Sequence, residues 1–237
     1  KAGSSINITV EFDKNVTVTT SLGTPSIALN AQSAAKAVYS SGSNSDTLTF
    51  NYTVQPGDNS SDLDFVNTNS FVLNSAVIED VHGNNATLTL PTPGLVNSLS
   101  NNKDLIIDTV APVVPAITSP LSNTLVNNAF ATIAGTHSEN AIKVHVYQDT
   151  NQDGQADNNT SLVSAEVNSG TWTLNAPVTP GINSFVVTAV DAATNTSNAA
   201  VRGGGAVGLN ALISRARSHA ATCPFPPFSN QEFILRK

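Results

Sequence analysis

The sequence has 237 residues, of which 40% are hydrophobic, 11% charged and 5% aromatic, and its formal net charge is −7 at pH 7. We expect no nucleic acid partner, because neutralising phosphates requires clustered Lys and Arg side chains. We also expect no membrane insertion, because no apolar run reaches the roughly 18–20 residues of a membrane-spanning helix. The length suits two domains of about 100 residues each.

The first 112 residues alternate between apolar and polar positions, as half-buried β-strands do. Residues 6–12 and 48–54 show the most regular alternation. Turn-forming residues interrupt the pattern, and further strands are predicted at residues 16–18, 27–29, 71–73, 77–78, 88–90 and 105–107. About seven to nine short strands without a helical stripe indicate an antiparallel β-sandwich.

Residues 102–115 are predicted to join two domains. The apolar residues 105–107 lead into Asp108, which is followed by Pro112 and Pro115. Proline fixes φ and favours extended backbone in the residue before it, so this joint should be extended and stiff. We therefore predict one domain over residues 1–112 and a second over residues 113–201.

The second domain repeats the strand pattern of the first. Strands are predicted at residues 130–133, 142–148, 162–167, 171–174 and 185–190. Trp172 is expected in the core, because a buried indole covers a large apolar area. Asp191 and Asn195 repeat the spacing of Asp80 and Asn84, which is typical of tandem modules with one architecture.

Residues 202–237 form an atypical tail. They hold five of the ten basic residues but one of the seventeen acidic ones, and Cys223 is the single cysteine of the chain. Apolar residues between positions 207 and 221 have helical spacing, so we expect a poorly ordered or short helical segment. Two origins stay open, a native amphipathic helix or a segment foreign to the parent protein. A chain without Met that starts at Lys1 is expected to be an excerpt.

A series of short motifs occurs in order in the first domain, at residues 10–18, 24–30, 39–43, 48–54, 62–65, 83–84, 88–91 and 107–112. Together they resemble the immunoglobulin-like repeats of large bacterial surface adhesins, biofilm-associated proteins and haemolysin-type secreted repeats. Residues 113–200 resemble a second such repeat through residues 135–136, 171–174 and 187–191. The tail matches nothing in these repeats.

The resemblance implies an extracellular stalk or extender module, often stiffened by calcium, whose partners are neighbouring repeats of the same polypeptide. The alternative is a module that binds surface glycans or proteins through loops such as residues 40–46 or 55–65. These loops carry almost no aromatic side chains apart from Phe65, which favours the extender. No nucleophile elbow or other catalytic signature is present in the sequence, so we expect no enzyme.

A candidate calcium loop spans residues 149–157. Its oxygen ligands would be Asp149, Asn151, Asp153 and Asp157. Their spacing, with Gly154 at the sharp turn, matches the first part of a calcium-binding loop. Thr160 occupies the position where such loops carry a bidentate Glu, which predicts weak binding or none. The alternative is a hairpin turn, because Asp-Gly between alternating strands favours one.

A second candidate calcium site includes Asp108, beside the joint, with Asp13 or Asp80 as further ligands. The alternative is that Asp108 accepts backbone amides in the linker. A third group of carboxylates is expected to be a solvated loop or a metal site, and it comprises Asp58, Asp62 and Asp64. The four histidines lack ligand spacing and are expected on the surface; they are His82, His137, His145 and His219.

Overall fold

A computed structural model describes residues 1–32, 34–121, 124–137, 140–202 and 207–208. The chain divides into two compact units, Lys1–Pro112 with Asp191–Thr196, and Val113–Val190 with the chain from Ser197. Both units are built from antiparallel β-sheets, which confirms the all-β fold class. The predicted tail lies outside the described residues, apart from Arg202 and residues 207–208.

The strands of the first unit follow the alternation of its sequence. In chain order its elements are β1 (Ser5–Thr19), β2 (Ser26–Ala28), β3 (Lys36–Ser41), β4 (Ser45–Thr53), β5 (Phe71–Val72), β6 (Val77–Asp80) and the one-turn helix α1 (Leu99–Asn102). The six strands form one sheet in the order β5-β2-β3-β4-β1-β6.

Strand β1 changes its partner along its length. Its first part pairs with β4, from Ser5 opposite Thr53 to Glu11 opposite Thr47. After an irregularity between Glu11 and Val16, residues 16–19 pair with β6. Bulges of this kind bend a strand, so the sheet curves around one core.

The core of the first unit lies between this sheet and the segments that cover it. Leu48 and Phe50, which point inward from β4, are fully buried. The predicted strands 88–90 and 105–107 do not form. These segments contact the rest of the unit through isolated backbone hydrogen bonds, from the Leu90 N–H to the Thr68 carbonyl, from the Leu63 N–H to the Leu105 carbonyl, and in the bridge between Ile107 and Ser60.

The second unit is a sandwich of two sheets. Its strands are β7 (Ala116–Ser119), β8 (Leu125–Val126), β9 (Phe130–Thr136), β10 (Ala141–Gln148), β11 (Val163–Glu166), β12 (Thr171–Pro177), β13 (Phe185–Asp191), β14 (Ala200–Arg202) and β15 (Val207–Gly208). The sheet β11-β10-β13-β14 faces the sheet β12-β9-β7, and β8 pairs with β15. All five strands predicted for this domain are confirmed. Trp172 is 3% exposed, in the core with Val144 and Val146.

The strand pairings place the two ends of the second unit at opposite poles. Ala116 of β7 pairs with Thr136, the last residue of β9, next to the start of β10. At the far end of β10, the Asp149 N–H donates to the Ser184 carbonyl, just before β13. The last residue of β14, Arg202, pairs with Phe185 at that same pole. Strand β7 therefore begins at one pole, and β14 ends at the other.

Candidate functional site

The candidate calcium loop connects β10 to β11, which pair as an antiparallel hairpin. Asp149 directly follows β10 and is fully buried. Its two carboxylate oxygens accept the N–H groups of Asp153 at 3.1 Å and Gly154 at 3.3 Å, and the Ser184 hydroxyl at 3.2 Å. Asp149 therefore supports the turn of its own loop.

The other three predicted ligands also bind groups within the loop. Asn151 accepts the Asp153 N–H and donates its side-chain amide to the Asp153 carboxylate at 2.9 Å. One Asp157 oxygen accepts both the backbone N–H and the hydroxyl of Thr150. The Thr150 hydroxyl and N–H hold the pKa of Asp157 below its usual range.

The structure gathers these side chains in one loop without converging their carboxylates. In the described part of the chain, no three His, Cys, Asp or Glu side chains form a group that could hold a metal ion. The contacts match the hairpin alternative, in which polar side chains satisfy backbone amides. Calcium binding by this loop remains a prediction.

The second candidate calcium site is not assembled. Asp80 ends β6 beside Val16, where β1 also lies opposite Ser45 at the start of β4. Asp108 lies near the other end of β4, because the next residue, Thr109, accepts the Gly57 N–H. β4 separates the two ends by roughly 25 Å at about 3.3 Å per residue, so Asp108 shares no site with Asp80. Asp13 is exposed near the Asp80 end, in a groove with Lys14 and Asn84.

Asp80 instead organises a tight turn. Its carboxylate accepts the backbone N–H groups of His82 and Asn84 and the side-chain amide of Asn84, at 2.9–3.1 Å. The Asn84 side chain, helped by the two backbone amides and by Lys14, keeps the pKa of Asp80 well below its usual range. Asp191 likewise accepts both amides of Asn195, the backbone N–H at 2.8 Å and the side-chain amide at 2.9 Å. The spacing repeat seen in the sequence is therefore a repeated turn.

Asp108 accepts a backbone amide in the linker, as the alternative to a calcium site predicted. Its carboxylate accepts the Val110 N–H at 2.9 Å. The next residue, Thr109, donates its N–H to the Asn59 side chain and accepts the Gly57 N–H at its hydroxyl, both at 3.0 Å. The start of the joint is thereby fixed to the first unit.

The third carboxylate group is not the expected solvated loop. Asp58 and Asp64 are each 4% exposed. The Tyr52 hydroxyl donates to Asp58 at 2.6 Å, and burial followed by this bond raises the pKa of Tyr52. Asp62 accepts the Leu105 N–H at 3.2 Å. These side chains make separate contacts that attach the covering segments to the unit.

Asp64 makes the largest set of these contacts. It accepts the Ser100 hydroxyl at 2.6 Å and the N–H groups of Phe65, Gly94 and Leu99 at 2.8–3.3 Å. Burial raises its pKa, but the hydrogen bonds from Ser100, Gly94 and Phe65 outweigh burial and lower the pKa below its usual value. This role could not be predicted from the sequence, because three of the four donors lie 30–36 positions away in the chain.

One of the histidines departs from the expected surface placement. His137 is 5% exposed, and its Nε2 lies 2.8 Å from the Val113 carbonyl oxygen. His82 is exposed and His145 half-buried, while His219 lies outside the described residues. Burial, then the nearby Lys143 charge, lowers the pKa of His145.

No protein family and no curated protein matches the sequence. Among solved structures, the chain is similar to the fibronectin(III)-like modules of Clostridium thermocellum CbhA, with 16% identity, a TM-score of 0.41 and 88% of each chain covered. At this level the similarity carries no argument about function. In the described residues, no helix has the length and apolar character needed to cross a membrane.

Proposed function

We propose that this chain is a non-enzymatic extender of a bacterial cell-surface adhesin, displayed outside the cell. The observation that carries the proposal is the path of the chain through the second unit. Strand β7 begins beside Thr136 at one pole, and β14 ends beside Phe185 at the other, with β13 running back between the poles. A module entered at one pole and left at the other adds its own length to a stalk.

Separate cores support the same role. The first unit packs around β4 residues such as Phe50, and the second around Trp172 and its neighbours. Burial of apolar side chains is the main stabilising term in folding, so each unit has the means to stay folded under its own packing. An extender needs this property, because each module must carry load by itself.

The start of the joint also suits an extender. Thr109 and Asp108 are fixed to the first unit by backbone and side-chain hydrogen bonds. The remaining residues before β7 include Pro112 and Pro115, whose rings restrict φ. Bending is thereby confined to a few residues.

Single-molecule pulling of the full chain tests the proposal. We expect two separate unfolding events, with contour lengths that increase by roughly 300 Å for the second unit and roughly 350 Å for the first, from about 3.5 Å per extended residue. Saturable binding of a glycan or protein in an array, lost when loop residues 40–46 are replaced, would instead support the binding alternative.

We further propose that calcium, where it binds, acts at residues 149–157. The support is the oxygen-rich composition of this loop and the position of Asp149 at the end of a strand. Melting the chain in calcium and in chelator tests this directly, with Asp153→Ala as the variant and Asp46→Ala as the exposed control. Calcium should raise the melting temperature of the wild-type chain and of Asp46→Ala, and it should leave the melting temperature of Asp153→Ala unchanged. An equal melting temperature in calcium and chelator for the wild-type chain removes calcium from the account.

A further inference from the structure

The first part of β1 has one open edge. Residues 5–11 pair with β4 on one side, while β6 reaches only residues 16–19. Among the described residues no strand pairs with the other edge of residues 5–11. The preceding residues do not fill it, because Gly3 and Ser4 continue along Val54 on the β4 side. Unpaired N–H and C=O groups on such an edge are a template for another strand.

A groove runs beside this edge. Its first section, of about 600 Å³, lies between residues 8–12 of β1 and a wall that includes Leu90 and Leu99. Its second section, of about 450 Å³, continues past Phe12 to Ala86 and Asp80. Val10 and Phe12 face the core but stay half-buried, whereas Leu48 and Phe50 on the adjacent β4 are fully buried. The apolar floor of the groove is therefore incompletely covered.

The two units correspond strand by strand around this groove. β6 and β13 end in the same Asp–Asn turn, described above. After each turn the chain makes the same return bond, from the Ala86 N–H to the Ile78 carbonyl and from the Ser197 N–H to the Ala189 carbonyl. Residues 5–11 of β1, which pair with β4, therefore correspond to β9, which pairs with β12.

In the second unit the corresponding edge is occupied. β7 pairs antiparallel with β9, with Ala116 opposite Thr136 and Ile117 opposite Gly135. β7 also contacts β14, the strand that follows the turn after β13. β7 thus lies between β9 and β14, in the place that is a groove between β1 and residues 84–91 in the first unit.

We propose that the groove of the first unit takes an extended strand of the Ala116–Ser119 type, from a polypeptide built of the same modules, running antiparallel to β1. Backbone pairing with the open edge would supply affinity, and the apolar side chain at the position of Ile117 would cover the floor beside Val10 and Phe12. The inference rests on the strand pairings and stands apart from the extender role.

In an extended chain that carries this strand ahead of Ser5, the added strand would also change the path of the backbone through the first unit. β1 begins beside Thr53, and the chain leaves this unit at Thr109 beside Gly57, so both lie at one pole. A strand antiparallel to β1 would start at the opposite pole, beside Asp80. The first unit would then have the pole-to-pole path of the second.

The test is a full chain in which a copy of residues 108–129 replaces the residues ahead of Ser5, which keeps the natural ten-residue connection between β7 and β9. Hydrogen exchange should show protection of residues 6–12 increased on the order of ten-fold or more, because open-edge amides exchange readily. Amides of β9, whose edge is already paired, serve as the internal control and should not change. The matched control chain carries Ile117→Asp in the copied segment only.

Two results would overturn the proposal. One is unchanged exchange of residues 6–12 in the extended chain. The other is equal protection by the extension with Ile117→Asp, since a charge facing the apolar floor should prevent docking. Leu90→Lys in the groove wall gives a second variant. It should abolish the added protection in the extended chain while β9 exchange stays constant, and retained protection also contradicts the proposal.

Discussion

Asp64 is the residue on which the covering segment of the first unit depends most. Asp64→Ala removes the carboxylate that accepts the Ser100 hydroxyl and three backbone amides, so these donors lose their acceptor. We expect the free energy of unfolding of the first unit to fall by about 2–3 kcal/mol. Calorimetry measures the change, with exposed Asp104→Ala as the control, and an equal effect of both substitutions would contradict this role.

The same residue predicts how stability depends on pH. Its pKa in the folded chain lies below the usual value, so the unfolded chain binds its proton first as the pH falls. The stabilisation is fully present above pH about 4 and is lost progressively below it. The melting temperature of the first unit should therefore drop as the pH falls below about 4, and Asp64→Asn should flatten that part of the profile.

Asn84 controls the charge state of Asp80. Asn84→Ala removes the side-chain amide that contributes most to the lowered pKa of Asp80. Carboxyl NMR titration should show this pKa rising toward the usual value of about 3.9. Asn195→Ala, which alters the matching turn around Asp191, is the control and should leave the titration of Asp80 as it was.

Single residues also show where sequence reasoning stops. The Asp80–Asn84 and Asp191–Asn195 turns could be predicted, because the carboxylate and the amides that close each turn lie within four positions. The burial of Asp64 could not, because its donors lie on a segment 30–36 positions further along the chain. His137 was expected on the surface for the same reason, since its partner is the Val113 carbonyl, 24 positions away.

At the scale of elements, alternation predicted strands well where a strand has a partner along its whole length. Residues 48–54 lie almost wholly within β4, which pairs with both β1 and β3. Residues 88–90 alternate too, and residues 105–107 are a short apolar run, but both segments make only isolated backbone hydrogen bonds and one bridge in place of a continuous ladder. Alternation of apolar and polar residues predicts that one face of a segment is buried. A strand also requires a neighbouring strand with which it forms a continuous ladder of backbone hydrogen bonds.

Gly135 allows β7 to approach β9. A Cβ at this position would collide with the Ala116 carbonyl oxygen and with the Trp172 ring. Gly135→Val should therefore displace β7 and lower the free energy of unfolding of the second unit by about 1–3 kcal/mol. Ala134→Val, whose side chain lies on the opposite face of the same strand, is the matched control for the added β-branched side chain. Retained protection of β7 amides in Gly135→Val would contradict this explanation.

At the scale of the whole molecule, the account is that of two modules in series, each with its own core. The buried residues form one cluster around β4 in the first unit and another around Trp172 in the second. The joint could be anticipated from its prolines. The open edge of β1 could not, because it is recognised only when the strand pairings of the two units are compared.

Calorimetric melting of the full chain and of Phe50→Leu tests the central claim, with fluorescence of the single tryptophan, Trp172, reporting the second unit alone. Phe50 is fully buried in the core of the first unit. Its replacement should lower the free energy of unfolding of that unit by about 1–3 kcal/mol and its melting temperature by several degrees. The account predicts that the fluorescence transition of Trp172 stays where it is in the wild-type chain. If the fluorescence transition of Trp172 shifted together with the transition of the first unit, the two units would share one cooperative core, which would contradict the account.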